Sequence, residues 1–131
     1  MKILFLDDDT DAVSHFIQNL EDAGNTVTHI WTIREAEQKT SGPVFSYDLV
    51  IIDVQIRPSE DEKRTPEASL NAGLTFYYAF RDRFPKARAI ILTNNLYRVP
   101  VDLLRQSAVT KALDKVAMAG LLAEEIRRWV H

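Results

Sequence analysis

Short runs of apolar residues alternate with helical patterns along the chain, and this alternation is the feature that most constrains its fold. The runs at Ile3–Leu6 and Leu49–Ile52 are continuous, as expected of strands that helices cover on both faces. Because strands that alternate with helices form parallel sheets, we expect an α/β fold. The five predicted strands are Lys2–Leu6, Thr26–Trp31, Tyr47–Val54, Arg88–Thr93 and Val109–Asp114.

Five helices are predicted between and after these strands. The first has apolar residues spaced as on one helix face, and Thr32 with Glu35 three residues later matches a capping box that begins the second. The other three are predicted at Leu74–Phe84, from Pro100 onward and at Ala117–Val130. Right-handed crossovers then favour a doubly wound, flavodoxin-like (βα)5 sheet with strand order 2-1-3-4-5.

The length of 131 residues fits one domain that spans residues 1–131. Residues 55–72 lack clear periodicity and are rich in charge, so we expect an extended loop there, unusually long for a compact domain. The absence of cysteine excludes disulfide scaffolds, thiolate zinc sites and cysteine nucleophiles. A net charge of −3 argues against direct nucleic-acid binding, and no apolar run is long enough to cross a membrane. We therefore expect a cytoplasmic protein.

Polar side chains stand where four of the predicted strands end. Asp7 and Asp8 follow the first strand, and Asp53 closes the third. Thr93 ends the fourth strand, and Lys115 follows the fifth. Because ligands of doubly wound sheets bind at the carboxyl ends of the strands, we expect these side chains to share one pocket.

Three converging carboxylates repel one another unless a cation neutralises them. Mg²⁺ fits this set best, because it binds a few carboxylates together with water and a phosphate oxygen. A carboxylate can also act as a nucleophile and form an acyl phosphate, while an ammonium and a hydroxyl bind the phosphoryl oxygens. The expected chemistry is phosphoryl transfer by positioning and charge neutralisation.

On these residues the chain resembles the receiver domain of two-component response regulators. The resemblance implies that Asp53 is the phosphoacceptor and that Mg²⁺ is the cofactor. Asp8 would bind Mg²⁺ directly, Asp7 mostly through water, and the backbone carbonyl of Gln55 would be a further protein ligand. The resemblance also implies that Thr93 is the switch hydroxyl and that the ammonium of residue 115 pairs with the phosphoryl group.

The sequence departs from the family pattern on the output side. Asn94 stands where a small residue is common, and Ala112 where an aromatic switch residue often stands. Val116 replaces the proline that usually follows the lysine. The loop after the acceptor is longer than usual, with Pro58 five residues beyond the acceptor and Gly73 expected to open the third helix.

The leading hypothesis is a stand-alone receiver, phosphorylated by a histidine kinase or a phosphotransfer protein, that signals by changing its binding to a downstream protein. It is not an enzyme beyond its own phosphorylation and dephosphorylation, and homodimers through the fourth and fifth helices are common in the family. A second hypothesis is a receiver-like interaction module that phosphorylation no longer controls. A third is a small phosphohydrolase of the haloacid-dehalogenase kind, but Asp11 replaces the threonine which that pattern requires.

Simpler interpretations of the same residues also remain. The acids at Asp7–Asp11 could be a solvated helix start, where negative charge suits the helix dipole. Asp53 alone could be a polar strand end. An EF-hand is excluded because Ala12 and Gln18 replace its turn glycine and its bidentate glutamate.

Overall fold

The computed structural model describes residues 1–56 and 66–130, and these contain one sheet of five strands. The strands lie in the order β2-β1-β3-β4-β5, and every neighbouring pair is parallel. The predicted α/β class and strand order are confirmed. The strands are β1 (Lys2–Leu6), β2 (Thr26–Ile30), β3 (Leu49–Ile52), β4 (Arg88–Thr93) and β5 (Thr110–Asp114).

Within residues 1–56 and 66–130, five α-helices connect and follow the strands, with a short 3-10 helix at Leu96–Arg98 before the fourth. Asp9 caps the first helix by accepting a hydrogen bond from the amide of Ala12, and Thr32 caps the second, as predicted. None of the helices in the described part of the chain has the length and apolarity that a bilayer crossing requires. The helices are α1 (Thr10–Asp22), α2 (Ile33–Lys39), α3 (Pro66–Arg83), α4 (Val101–Leu104) and α5 (Leu122–Val130).

Two helices begin at places that the sequence did not predict. α3 begins at Pro66, so part of the stretch predicted as a loop is helical and Gly73 lies inside the helix instead of opening it. Proline is common in the first turn of a helix, so Pro66 is consistent with this start. The charged residues before it favoured the prediction of a loop. α5 begins at Leu122, because Gly120 adopts a φ of 74° that a right-handed helix cannot include. The position of Pro58 lies outside the described residues.

The sheet separates two hydrophobic layers. Ile3, Phe5 and Ile51 pack with α1 and α5 on one side, whereas Leu4 and Leu6 pack with α2 and α3 on the other. All five of these strand side chains are fully buried. Burial on both faces explains why the central strands β1, β3 and β4 contain continuous apolar runs, and it places their polar groups at the strand ends.

Arg81 joins the C-terminal part of α3 to the strands at the amino edge of the sheet. Its guanidinium donates hydrogen bonds to the carbonyls of Phe84, Ala87 and Val109, at 2.9, 2.5 and 2.9 Å. It also donates to the hydroxyl of Thr110, at 2.9 Å. One side chain therefore joins three loop carbonyls, two of which, those of Phe84 and Val109, also accept from the backbone amides of Ala87 and Ala89.

We expect the substitution Arg81→Met to lower the free energy of unfolding by about 3 kcal/mol, because it removes four part-buried hydrogen bonds donated by a charged group. Urea unfolding followed by circular dichroism measures this. The matched control is Arg127→Met on α5, whose side chain is 69% exposed, and it should cost less than about 0.5 kcal/mol. Equal losses in the two variants would contradict the role given to Arg81.

Candidate functional site

Three carboxylates meet at the carboxyl edge of the sheet. Asp7 and Asp8 follow β1, and Asp53 follows β3, which is the neighbour of β1 in the sheet. One oxygen from each of the three carboxylates lies within 4.8 Å of the other two. The structure thus brings together the acids that the sequence predicted would converge.

Lys115 places its ammonium between two of these carboxylates. Its Nζ lies 2.5 Å from Oδ2 of Asp7 and 3.0 Å from Oδ2 of Asp53. The lysine is only 6% exposed, and its backbone amide donates to the carbonyl of Thr93 at 3.0 Å. This hydrogen bond holds the residue after β5 beside the end of β4. From that position, the lysine side chain reaches the acidic cluster.

The pKa values of this cluster show that its charges are not balanced. Burial raises the pKa of Asp7 from 3.8 to about 6, the charge of Asp53 adds to the rise, and Lys115 opposes it. Burial lowers the pKa of Lys115, but the negative charges of Asp53 and Asp7 outweigh it, so its pKa is raised. One ammonium is thus insufficient to offset the cost of burying the Asp7 carboxylate in its charged form.

This donor set fits a hard divalent cation. Oxygen ligands from a few carboxylates are what Mg²⁺ prefers in proteins. Among the described residues, Oδ2 of Asp7 is the buried side-chain oxygen that accepts no well-directed hydrogen bond. Its short contact with Lys115 is therefore an ion pair, and the oxygen retains capacity for a further positive partner.

Asp53 is held on both of its carboxylate oxygens. Oδ1 accepts a hydrogen bond from the amide of Gln55 at 3.1 Å, and Oδ2 contacts the ammonium of Lys115. The residue is 7% exposed, so it lies just below the surface of the edge. The turn formed by Asp53 and Gln55 keeps the carboxylate in one orientation and brings the backbone of Gln55 beside it.

Thr93 occupies the end of β4, where the sequence placed it, and is fully buried. Its hydroxyl oxygen accepts a hydrogen bond from the amide of Asn95 at 3.2 Å, which leaves the hydroxyl hydrogen available to another acceptor. The departures from the family pattern surround this end of the sheet. Asn94 and Val116 are exposed, and Ala112 is half-buried against the core.

Gly73 of α3 packs directly against the backbone of Asp53. A Cβ at this position would lie 2.0 Å from the carbonyl oxygen of Asp53 and 2.9 Å from its carbonyl carbon. The amide of Gly73 also donates to the carbonyl of Val54 at 3.2 Å. The sequence marked this glycine as the start of a helix, but its contact with the turn after β3 is what requires the absence of a side chain.

We expect Gly73→Ala to destabilise the protein by about 3 kcal/mol, because backbone atoms must move to admit the methyl group. Thermal and urea unfolding provide the measurement. The matched control is Gly42→Ala, whose Cβ would meet its nearest atom at 3.8 Å and should change stability by less than about 1 kcal/mol. Equal stability of Gly73→Ala and the wild type would disprove the close packing.

The raised pKa of Asp7 makes the metal-free protein less stable as the pH rises. The folded state binds the Asp7 proton more tightly than the unfolded state does, so this stabilisation is present below about pH 4 and lost above about pH 6. Asp7→Asn removes the effect. We expect the stability of the variant relative to wild type to increase by about 2–3 kcal/mol between about pH 4 and pH 7.5.

Urea unfolding at the two pH values, with a chelator present, measures this difference. Asp11→Asn is the matched control, since Asp11 is an exposed acid in the first turn of α1. Both variants replace one carboxylate with an amide, so the comparison isolates what burial of Asp7 contributes. A constant relative stability for Asp7→Asn would show that the pKa of Asp7 is not raised by folding.

No protein-family model matches the chain, and no curated protein matches its sequence. Solved structures do match it. The N-terminal domain of a response regulator/sensory box/GGDEF three-domain protein from Carboxydothermus hydrogenoformans is 21% identical, with a TM-score of 0.72 over 98% of this chain and 93% of that chain. Response regulator TrrA from Thermotoga maritima, solved in complex with Mg²⁺ and BeF, is 22% identical, with a TM-score of 0.69 over 98% of both chains.

A third match is a complex of histidine kinase ThkA with TrrA, at 24% identity and a TM-score of 0.68 over 99% of this chain and 98% of that chain. These proteins share with the present chain the sheet whose carboxyl edge carries the acidic cluster. Structural similarity at 21–24% sequence identity establishes the shared fold. The chain has the fold of the response-regulator receiver domains.

Proposed function

We propose that the chain is a response-regulator receiver that accepts a phosphoryl group on Asp53 from a histidine kinase or a phosphotransfer protein. The observation that carries this proposal is the position of Lys115, whose ammonium lies between Asp7 and Asp53 with the carboxylate of Asp8 close by. A nucleophilic carboxylate, a cation site and a cationic partner for phosphate are the parts that phosphoryl transfer requires.

Asp53 acts as the nucleophile in this proposal. One of its oxygens forms a bond to phosphorus while the bond from phosphorus to the donor's histidine nitrogen breaks, and the nitrogen leaves with the electron pair. The amide of Gln55 fixes Oδ1, so the carboxylate is already oriented before the donor arrives. Such fixed orientation lowers the entropic cost of the step.

Mg²⁺ would be held by Asp7, Asp8, Asp53 and the backbone carbonyl of Gln55, and it would supply positive charge for the phosphoryl oxygens. The ammonium of Lys115 contacts the carboxylate of Asp53, so it is close enough to pair with the phosphoryl group once that group is attached. The buried ammonium stabilises the negative charge of the phosphoryl group more strongly here than it would in water, because the site is largely shielded from solvent.

Thr93 provides the second contact of the protein with the new phosphoryl group in this proposal. Its hydroxyl already accepts from the amide of Asn95, so donating its own hydrogen to a phosphoryl oxygen would draw the β4–α4 connection toward the site. The exposed Tyr97 in that connection would move with it. A downstream protein that contacts this surface would then distinguish the two states.

The ligands and the kinase that were solved together with one structural neighbour support the proposal. TrrA was solved in complex with Mg²⁺ and BeF, and also in complex with the histidine kinase ThkA. Metal and kinase binding are properties of that protein, and its fold is the one seen here. On this proposal the chain is a signalling domain that catalyses its own phosphorylation and dephosphorylation, with a downstream protein or a second copy as partner.

We expect acetyl phosphate to add the mass of one phosphoryl group to the purified protein, and only when Mg²⁺ is present. Asp53→Asn should abolish this gain, because the amide is not a nucleophile at this position. Lys115→Met should slow labelling by at least about 100-fold, since it removes a charge that stabilises the transition state. Intact mass spectrometry over a time course measures each of these outcomes.

Asp82→Asn is the matched control, because Asp82 is an exposed acid near the end of α3, and it should label like the wild type. Labelling of Asp53→Asn at the wild-type rate would rule out the assigned acceptor. A folded wild type that neither labels nor forms a stable beryllofluoride complex would favour an interaction module without phosphoryl control. Sustained release of phosphate from generic substrates would instead indicate a phosphohydrolase.

A further inference from the structure

The peptide that links Asp7 to Asp8 is held from the side by a histidine of the edge strand β2. The Nε2 atom of His29 lies 2.8 Å from the carbonyl oxygen of Asp7. Because a carbonyl can only accept a hydrogen bond, the ring must carry its hydrogen on Nε2 and donate it. The two acids therefore share a peptide whose oxygen is bound by a side chain from another strand.

The ring of His29 is itself held in position by its neighbours. His29 is paired with Phe5 in the register of β1 and β2, and the two rings meet edge to face with centroids 6.3 Å apart. The ring of Trp31 also lies close, with its centroid 5.7 Å from that of the imidazole. These two aromatic contacts restrict the rotation of the imidazole, so the hydrogen bond to Asp7 has a defined direction.

The rest of the connection between β1 and α1 depends on this peptide. The amide of Asp7 donates to the carbonyl of Ile30 at 3.1 Å, which ends the pairing of β1 with β2. Oδ1 of Asp7 accepts from the amide of Asp9 at 2.9 Å. Between these two bonds, the hydrogen bond from His29 holds the peptide oxygen, and the orientation of that peptide sets where the side chains of Asp7 and Asp8 lie.

We propose that His29 is a positioning residue for the divalent-cation site, acting through the Asp7–Asp8 peptide and not by touching the cation. The inference rests on the proposed Mg²⁺ binding by these acids. Groups that orient metal ligands typically change metal affinity about 10–100-fold when they are lost. Here the oriented group is a backbone peptide between two ligands, so both carboxylates are affected together.

The test compares Mg²⁺ dissociation constants, measured by calorimetry, for the wild type, His29→Phe and His29→Gln. Phenylalanine keeps the packing with Phe5 and Trp31 but cannot donate, and we expect Mg²⁺ affinity to fall by about tenfold. Glutamine restores a donor, and we expect it to recover most of the loss. His15→Gln is the matched control, because His15 is an exposed histidine of α1.

A second measurement separates positioning from a purely structural role. Urea unfolding with a chelator gives the metal-free stability of each variant, and a structural role alone would lower stability without changing Mg²⁺ affinity. Equal Mg²⁺ affinity of His29→Phe and the wild type would overturn the inference and leave the proposed function intact. A wild type that does not bind Mg²⁺ at all would overturn the proposed function and the inference with it.

The protonation state of the imidazole gives a test that needs no variant. Nitrogen NMR of the metal-free wild type should show a hydrogen on Nε2 of His29, because that nitrogen faces the carbonyl oxygen of Asp7. A ring with its hydrogen on Nδ1 alone could not donate to Asp7 and would overturn the inference. This measurement can overturn the inference even if His29→Phe does not fold.

Discussion

The site depends on one ion-pair arrangement, in which a buried ammonium lies between two buried carboxylates. Lys115 contacts both Asp7 and Asp53, and it is one positive charge against at least two negative ones. Removing charges from water is costly unless each of them is paired, so the remaining negative charge calls for a further cation. Burial, together with the charge of Asp53, raises the pKa of Asp7, which shows how costly its charged form is without such a cation.

The sheet makes this arrangement possible because it leaves polar groups no other place in the core. From Ile3 to Leu6 in β1 and throughout β3, the side chains are apolar and buried, so the next polar side chains appear where these strands end. Parallel pairing of β1 with β3 and of β4 with β5 then aligns these ends at one edge. The parallel pairing of β3 with β4 places the acids on the same edge of the sheet as Thr93 and Lys115.

The sequence predicts this edge well because strand ends are local features with strong patterns. Continuous apolar runs followed by Asp7 or Asp53 fix both the strand and the polar residue after it. Other features depend on contacts that no local pattern records. His29 appears as an ordinary strand residue until β2 is paired with β1, and the close packing of Gly73 on Asp53 needs α3 to be in place. The sequence did not predict that α3 begins at Pro66, because the charged residues before it are typical of a loop.

The helix α3 is held at two distant points, and this explains how the turn after β3 keeps its shape beside a long connection. Near its middle, Gly73 lies against the backbone of Asp53, and no side chain could be accommodated there. Near its end, Arg81 binds the carbonyls of the β4 and β5 connections, while the hydroxyl of Tyr77 lies 2.7 Å from that of Thr110. A helix anchored at both points cannot tilt freely, because tilting would break the Arg81 bonds or press α3 into the turn. The orientation of the Asp53 carboxylate is thus fixed by packing as well as by the charge of the lysine.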